Sequence, residues 1–371
     1  MAKEATCIGL MSGTSIDAVD AVIVAFGDRR PRILASYSKP VPDSLRKDVL
    51  TLCLPGEDHI DLMGSVDRRL GQLFAITAKE AMASADIPPE HIDAIGSHGQ
   101  TVRHRPNDNQ PFTLQLGDPN IIAVESGIVT VADFRRKDMA LGGQGAPLVP
   151  AFHRAVFHDP RRNRVIVNIG GMANITWIPG DGTVTGFDTG PGNCLLDQWI
   201  QHCRGLAFDA NGQWAASGSA NRALLDMLLD HPFLARRPPK STGREEFNLP
   251  WLQSVVDALD APLLPEDIQA TLTRFTALAI AGGLNDLPRA PIDDVFVCGG
   301  GAHNHQLMAE LRQQLPSVNL ASTAALYLEP TLVEGAAFAW LAHQTLQHLP
   351  GSLSSVTGAR RNAILGGIYW P

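Results

Sequence analysis

Twice along the chain an apolar strand runs into a short polar turn and returns at once as a second strand. The first instance covers residues 6–26, with Ser12-Gly13-Thr14-Ser15 at the turn; the second covers residues 164–177, with Gly170-Gly171 at the turn. A chain can reverse this tightly only where side chains are small and the backbone is free to adopt unusual angles. Each pair leads to a third strand, near residues 32–37 and 183–187, and then to helical segments. The chain therefore reads as two α/β halves, each opening with a glycine-interrupted antiparallel meander. A length of 371 residues, 44% of them hydrophobic, is enough for two cores. The boundaries are set at 1–130 plus about 347–371 for the first half and 131–346 for the second.

Glycine makes up 34 of the 371 residues. Seven short segments totalling 53 residues hold 15 of them, so the excess is concentrated in turns where a ligand can approach backbone. Charge narrows the ligand. Lys and Arg number 30 against 38 Asp and Glu, and no long basic run is present. Phosphate-backbone binding needs a concentrated basic face, so nucleic acid is excluded as the main partner. Five scattered cysteines with no C-x-x-C pair read as reduced core residues. No apolar run approaches the length of a membrane span, and no signal-peptide pattern precedes the first strand, so a cytoplasmic protein with no membrane partner is expected.

The P-loop, H-E-x-x-H, G-x-S-x-G and G-x-G-x-x-G patterns are all missing, so any nucleotide is held by another geometry. In the first turn Gly13 admits an anion to backbone N–H groups, and Thr14 and Ser15 add hydroxyl donors. Asp17 and Asp20 repel phosphate but suit a hydrated Mg²⁺, or else they orient the turn. Gly170 and Gly171 repeat this logic in the second half, so two turns could clamp a polyphosphate from both sides of a shared cleft. Gly299, Gly300 and Gly301 follow a buried strand and precede a helix, where side-chain-free backbone lets a purine or ribose lie close. Asp188, in Phe187-Asp188-Thr189-Gly190-Pro191-Gly192-Asn193, is a carboxylate with room beside it, suited to act as a general base. The alternative makes it the N-cap of a helix starting near Pro191. Ser97, His98 and Arg135 follow strands and could face a substrate, with Arg135 or Arg136 available to meet a carboxylate.

Taken together, Gly13-Thr14-Ser15-x-Asp17-x-x-Asp20, Ser97-His98-Gly99-Gln100-Thr101, Asn168-Ile169-Gly170-Gly171, Phe187 to Asn193, Lys240-Ser241-Thr242-Gly243-Arg244-Glu245 and Cys298-Gly299-Gly300-Gly301 resemble the anhydro-N-acetylmuramic acid kinases, in order and over nearly the whole chain. That resemblance implies the sugar kinase, actin and heat-shock ATPase superfamily: an α/β fold with two ribonuclease-H-like domains flanking an ATP-binding cleft. It implies ATP and Mg²⁺ as cofactors and a homodimer. The activity implied is conversion of 1,6-anhydro-N-acetylmuramic acid, ATP and water to N-acetylmuramic acid 6-phosphate and ADP in cell-wall recycling. ATP phosphates would bind along Gly13, Thr14, Ser15, Ile16, Asp17, Ala18, Val19 and Asp20; the family often has glycine where Ala18 stands. Asp188 would be the catalytic base, and Glu334 would help to place the water. A kinase for an ordinary hexose or amino sugar, and an actin-like nucleotide switch, remain as rival readings at this point.

Overall fold

The computed structural model describes residues 4–13, 15–27, 30–54, 59–238, 240–287 and 290–371. Thr14, named above as a phosphate contact, lies outside them. By contact the chain forms two compact units, Met1–Val156 with Leu332–Pro371 as unit one and Phe157–Thr331 as unit two.

Unit one contains β1 (Ala5–Met11), β2 (Ala18–Phe26), β3 (Arg32–Pro40), β4 (Ala94–Ser97), a hairpin of β5 (Gln100–Arg105) and β6 (Phe112–Leu116), and β7 (Thr130–Ala132). Among the described residues its main sheet runs in the order Gly367–Tyr369, β7, β4, β1, β2, β3. β1 to β3 are antiparallel, whereas β4 and β7 lie parallel to β1. From Ala21 on, β2 is buried at every position because helices cover both faces of the sheet. On one face lies the helix Ile60–Ser84, packed through Leu70, Phe74 and Ala78. On the other lies the helix Val333–Leu346, which approaches backbone to backbone. A Cβ at Gly9 would strike the Gly335 carbonyl oxygen, and one at Gly96 would strike the carbonyl oxygen of Phe338. These strand glycines therefore serve packing.

Unit two repeats the arrangement with β8 (Arg164–Ile169), β9 (Met172–Ile178), β10 (Thr185–Pro191), β11 (Asp294–Cys298) and β12 (Asn319–Ser322), in the order β10, β9, β8, β11, β12. β8 to β10 are antiparallel, and β11 and β12 run parallel to β8. The sheet core includes Val167, Ile175, Phe187 and Ile280. A second, helical core gathers Trp199, Trp214, Phe233, Phe247 and Phe275. The long helix Pro265–Leu284 contributes to both. At the start of β11 the buried Asp294 carboxylate accepts from Arg162 Nε at 3.0 Å, Arg164 Nε at 3.3 Å and Asn319 Nδ2 at 2.9 Å.

The contact division differs from the sequence reading, which cuts at 130/131 and 346/347. Residues 131–156 and 332–346 fall in unit one. The reason is packing: the helix Val333–Leu346 lies on β1, β2 and β4, and Phe134 meets Phe338 with ring centroids 5.7 Å apart.

Candidate active site

In unit one the turn joining β1 to β2 is organised by its own side chains. Ile16 sits at φ 54° with its N–H donating to the Gly13 carbonyl at 3.2 Å, and Ser15 Oγ donates to Asp17 Oδ1 at 2.7 Å. Ser12, buried at the end of β1, donates to Gln100 Oε1 at 2.7 Å and so ties the turn to the hairpin. Only Ser15 Oγ, at 3.9 Å, would meet a Cβ at Gly13, so that backbone faces open space. Burial raises the Asp20 carboxyl above the ordinary range; Ser38 opposes this by hydrogen bonding, and the Asp17 charge adds to it. Ala18 and Val19 begin β2, with Val19 buried in the core, so the ligand-facing part of this segment is its turn.

A cavity of about 240 Å³ in the same unit is bordered by Asp67, Ser97, His98, Gln115, Asp133 and Arg136, among others. His98 is fixed from one side: Arg135 Nε and Nη2 lie 3.1 and 2.9 Å from its Nε2, and Arg135 Nη1 donates to the Gly145 carbonyl at 2.8 Å. Guanidinium has no acceptor, so His98 Nε2 carries the lone pair. Burial, then the Arg135 charge, hold His98 well below the usual imidazole range. Burial brings Arg135 itself down to about 10, against the opposing charges of Glu334 and Asp138. Arg135 is thus committed to His98 and Gly145 rather than standing free for a carboxylate. Glu334, in the first turn of the helix Val333–Leu346, is half-buried and acts electrostatically on Arg135.

In unit two Asp188 lies within β10 at a bulge, five residues ahead of Asn193, the residue that precedes the helix Cys194–Arg204. It is therefore no N-cap. Its backbone N–H donates to the Lys240 carbonyl at 3.1 Å, and its Oδ2 accepts the Thr242 N–H at 3.0 Å. Lys240 anchors this crossing segment. Its side chain is 3% exposed, and its ammonium lies 5.7 Å from the Phe187 ring centre and 5.3 Å from that of Phe233 and reaches Asp286 at 3.4 Å. Burial pushes the Asp188 carboxyl up to about 7; the Thr242 N–H pulls it down and the Glu245 charge adds to the rise. Such a group is a proton acceptor matched to neutral pH.

The glycine turns of unit two divide by role. The Gly170 and Gly171 carbonyls accept from the N–H groups of Gly192, Asn193 and Cys194 at 2.8 to 3.0 Å, which pins the turn to the start of a helix. A Cβ at Gly170 would meet only the Met172 carbonyl, at 3.7 Å. Gly299, at φ 80°, would carry a Cβ to 2.6 Å from Asn168 Oδ1 and the Ile169 carbonyl; a Cβ at Gly301 would collide with Ile169. Gly300 differs, with only Asn193 Nδ2 at 3.9 Å. That residue borders a cavity of about 530 Å³ shared with Asn193, Asp197, Phe208, His303 and Asn304. The volume is that of a small-molecule site.

The family model for anhydro-N-acetylmuramic acid kinase matches residues 5–371. The chain belongs to the anhydro-N-acetylmuramic acid kinase family. A relative of that name from Shewanella sp. (strain W3-18-1) is 53% identical over 368 residues, covering 99% of each chain. Another from Saccharophagus degradans is 48% identical over 372 residues, covering all of both. Among solved structures, component A of the (R)-2-hydroxyglutaryl-CoA dehydratase of Acidaminococcus fermentans aligns with a TM-score of 0.50 at 15% identity, covering 91% of this chain and 98% of its own. That likeness concerns fold alone, an α/β fold with mixed sheets. As a member of this kinase family the chain is an enzyme that uses ATP.

In the sequence of this kinase Lys240 to Glu245 show no role by themselves, and Phe208, Asp197 and Asp67 stand in none of the motifs. Thr242 reaches Asp188 across 54 residues of chain, a separation no local pattern reveals. Phe208 carried a signal: an aromatic in a short segment, Gly205 to Gly212, that no strand or helix periodicity buries. Among the described residues no helix is long and apolar enough to cross a membrane.

Proposed function

We propose that this kinase opens 1,6-anhydro-N-acetylmuramic acid with water and phosphorylates it in the same event, with Asp188 as the general base. Asp188 takes a proton from water as the water oxygen bonds to the anomeric carbon. The bond from that carbon to the bridging oxygen breaks, and the released six-oxygen attacks the γ-phosphorus. The bond from that phosphorus to the β-phosphate bridging oxygen breaks in turn, giving N-acetylmuramic acid 6-phosphate and ADP. The observation that carries this reading is the Asp188 carboxyl itself, held by one backbone N–H and raised to about 7. An ordinary surface aspartate is too weak a base for the task, whereas a neutral-pH carboxylate couples proton removal to attack.

The remaining roles follow from chemistry of the same kind. Backbone at Gly13 and Gly170, open to a ligand, suits phosphate oxygens, and the cavity beside Gly300 suits the nucleoside. Asp17, which accepts from Ser15, and Asp20, whose carboxyl feels the Asp17 charge, supply hard oxygen donors near the first turn and would hold a Mg²⁺ ion. Such an ion would neutralise charge developing on the transferred phosphoryl group. Glu334 orients the attacking water, and Ser97 and His98 contact the sugar. A homodimer in the cytoplasm, serving cell-wall recycling, belongs to the same reading.

The test is Asp188→Asn, which keeps one oxygen to accept from Thr242. We expect ADP release in the presence of the anhydro sugar to fall by at least about 100-fold, with ATP binding by calorimetry retained. Turnover at the wild-type rate would remove Asp188 from the role.

A further inference from the structure

The cavity beside Gly300 is lined by several polar side chains, and most of them already have partners inside unit two. The Asp209 carboxylate at its edge accepts from the Trp214 and Ala215 N–H groups, each at 2.9 Å. Asn304 Oδ1 accepts from the Leu307 N–H at 3.0 Å as a helix cap. Asn193 Nδ2 donates to the Ile169 carbonyl at 3.2 Å. Of the other polar lining side chains, Asn211 and His303 are exposed, so water satisfies them whatever the cavity holds. The Asp197 carboxylate is acceptor-only when ionised, which suits a ribose hydroxyl better than the mixed donor and acceptor edge of a base.

One apolar group stands out. Phe208 is 64% exposed on the cavity border, whereas Trp199, Trp214 and Phe233 of the helical core in the same unit are buried. A flat ring held at an open cavity and left to solvent is a stacking platform, and stacking accepts any base because each has a π-face.

We infer that this kinase holds the purine of its nucleoside triphosphate by stacking on Phe208 rather than by reading the base edge, so that GTP and ITP serve as phosphoryl donors alongside ATP. Strong rejection of an analogue requires buried polar groups that the analogue leaves unpaired. Here the Asp209 carboxylate, Asn304 Oδ1 and Asn193 Nδ2 are held by the scaffold whichever base is present. Without such groups, discrimination stays in the range of about 10- to 200-fold. The inference rests on the kinase reading above, since it concerns the donor for that same transfer.

The experiment measures sugar phosphorylation by the full chain with ATP, GTP and ITP in turn, for wild type, Phe208→Ala and Phe208→Tyr. We expect kcat/KM for GTP and ITP within about 100-fold of ATP. Phe208→Ala should raise KM for all three by a similar factor, about 5- to 150-fold, with kcat little changed, and Phe208→Tyr should restore it. Because Phe208 is exposed, its truncation leaves the core intact, and an unchanged far-UV spectrum checks this. A preference for ATP above about 1,000-fold overturns the inference, as does an unchanged KM in Phe208→Ala. If no nucleotide supports phosphorylation of the anhydro sugar, the kinase reading itself fails, a separate outcome.

Discussion

Asp188→Asn should make the protein more stable while removing its activity, and the gain should grow with pH. Burial is the main cause that pushes the Asp188 carboxyl in the folded chain up from an ordinary value of 3.8 to about 7. Its folded value is raised, so the native state favours the protonated form. The associated stability is present below the unfolded value and is lost as pH rises toward the folded one. A difference of about three pH units corresponds to roughly 4 kcal/mol once both states are ionised, and to roughly 2 kcal/mol at pH 5. Asparagine is neutral throughout and retains the oxygen that accepts from Thr242, so it avoids this penalty. Urea denaturation of wild type and Asp188→Asn at pH 5 and pH 8 measures it. We expect the variant's advantage to increase by about 2 kcal/mol between the two. Equal advantages at both pH values, or a variant less stable than wild type at pH 8, would refute the claim that Asp188 carries stored electrostatic strain.

Three further outcomes follow from the same structure. Gly96→Ala drives a methyl group into the Phe338 carbonyl, so unit one should lose about 3 kcal/mol or fail to fold, as read by urea denaturation; a loss under about 0.5 kcal/mol would mean that the helix Val333–Leu346 does not lie this close. At Asp294, burial alone would raise the carboxyl, but Arg162, Asn319 and Arg164 together bring it down to about 2. Its stabilising contribution is therefore present above the ordinary value of 3.8 and lost as pH falls toward 2, about 2 kcal/mol in all, and Asp294→Asn should show a correspondingly flatter acid-denaturation curve than wild type. His98, held below the usual imidazole range by burial and Arg135, should show no titration in its ring NMR signals from pH 5 to 8; a midpoint near 6.5 would contradict the Arg135 contact.

The two strand–turn–strand units were legible because their apolar runs and small-residue turns are local. So was the third strand of each meander. The β5 strand, Gln100–Arg105, was missed because Gln-Thr-Val-Arg-His-Arg offers one apolar side chain and pairs with β6 by register alone. The helix Val333–Leu346 is apolar on most sides, which signals burial but not against which sheet; its glycine contacts with β1 and β4 decide that. Arg135 illustrates the limit of reading a site from residue type. After a strand it looks available to a carboxylate, yet its partners are His98, 37 residues away, and the Gly145 carbonyl. Likewise Gly299-Gly300-Gly301 reads as three equivalent openings, but the outer two pack against Ile169 and only Gly300 faces space. Asp188 was legible as a candidate base from its roomy surroundings. Its neutral-range carboxyl depends on burial and on the segment from Lys240 to Glu245, which only the fold brings there.

In the proposed reaction water opens the anhydro bridge and the freed six-oxygen receives the phosphoryl group. Incubation with ATP, Mg²⁺ and 1,6-anhydro-N-acetylmuramic acid in oxygen-18 water, quenched early and read by fragment mass, tests it directly. One heavy oxygen is expected at the anomeric hydroxyl of the sugar phosphate and none in its phosphate group. A phosphorylated sugar without label at the anomeric position, or with label in the phosphate, would contradict it.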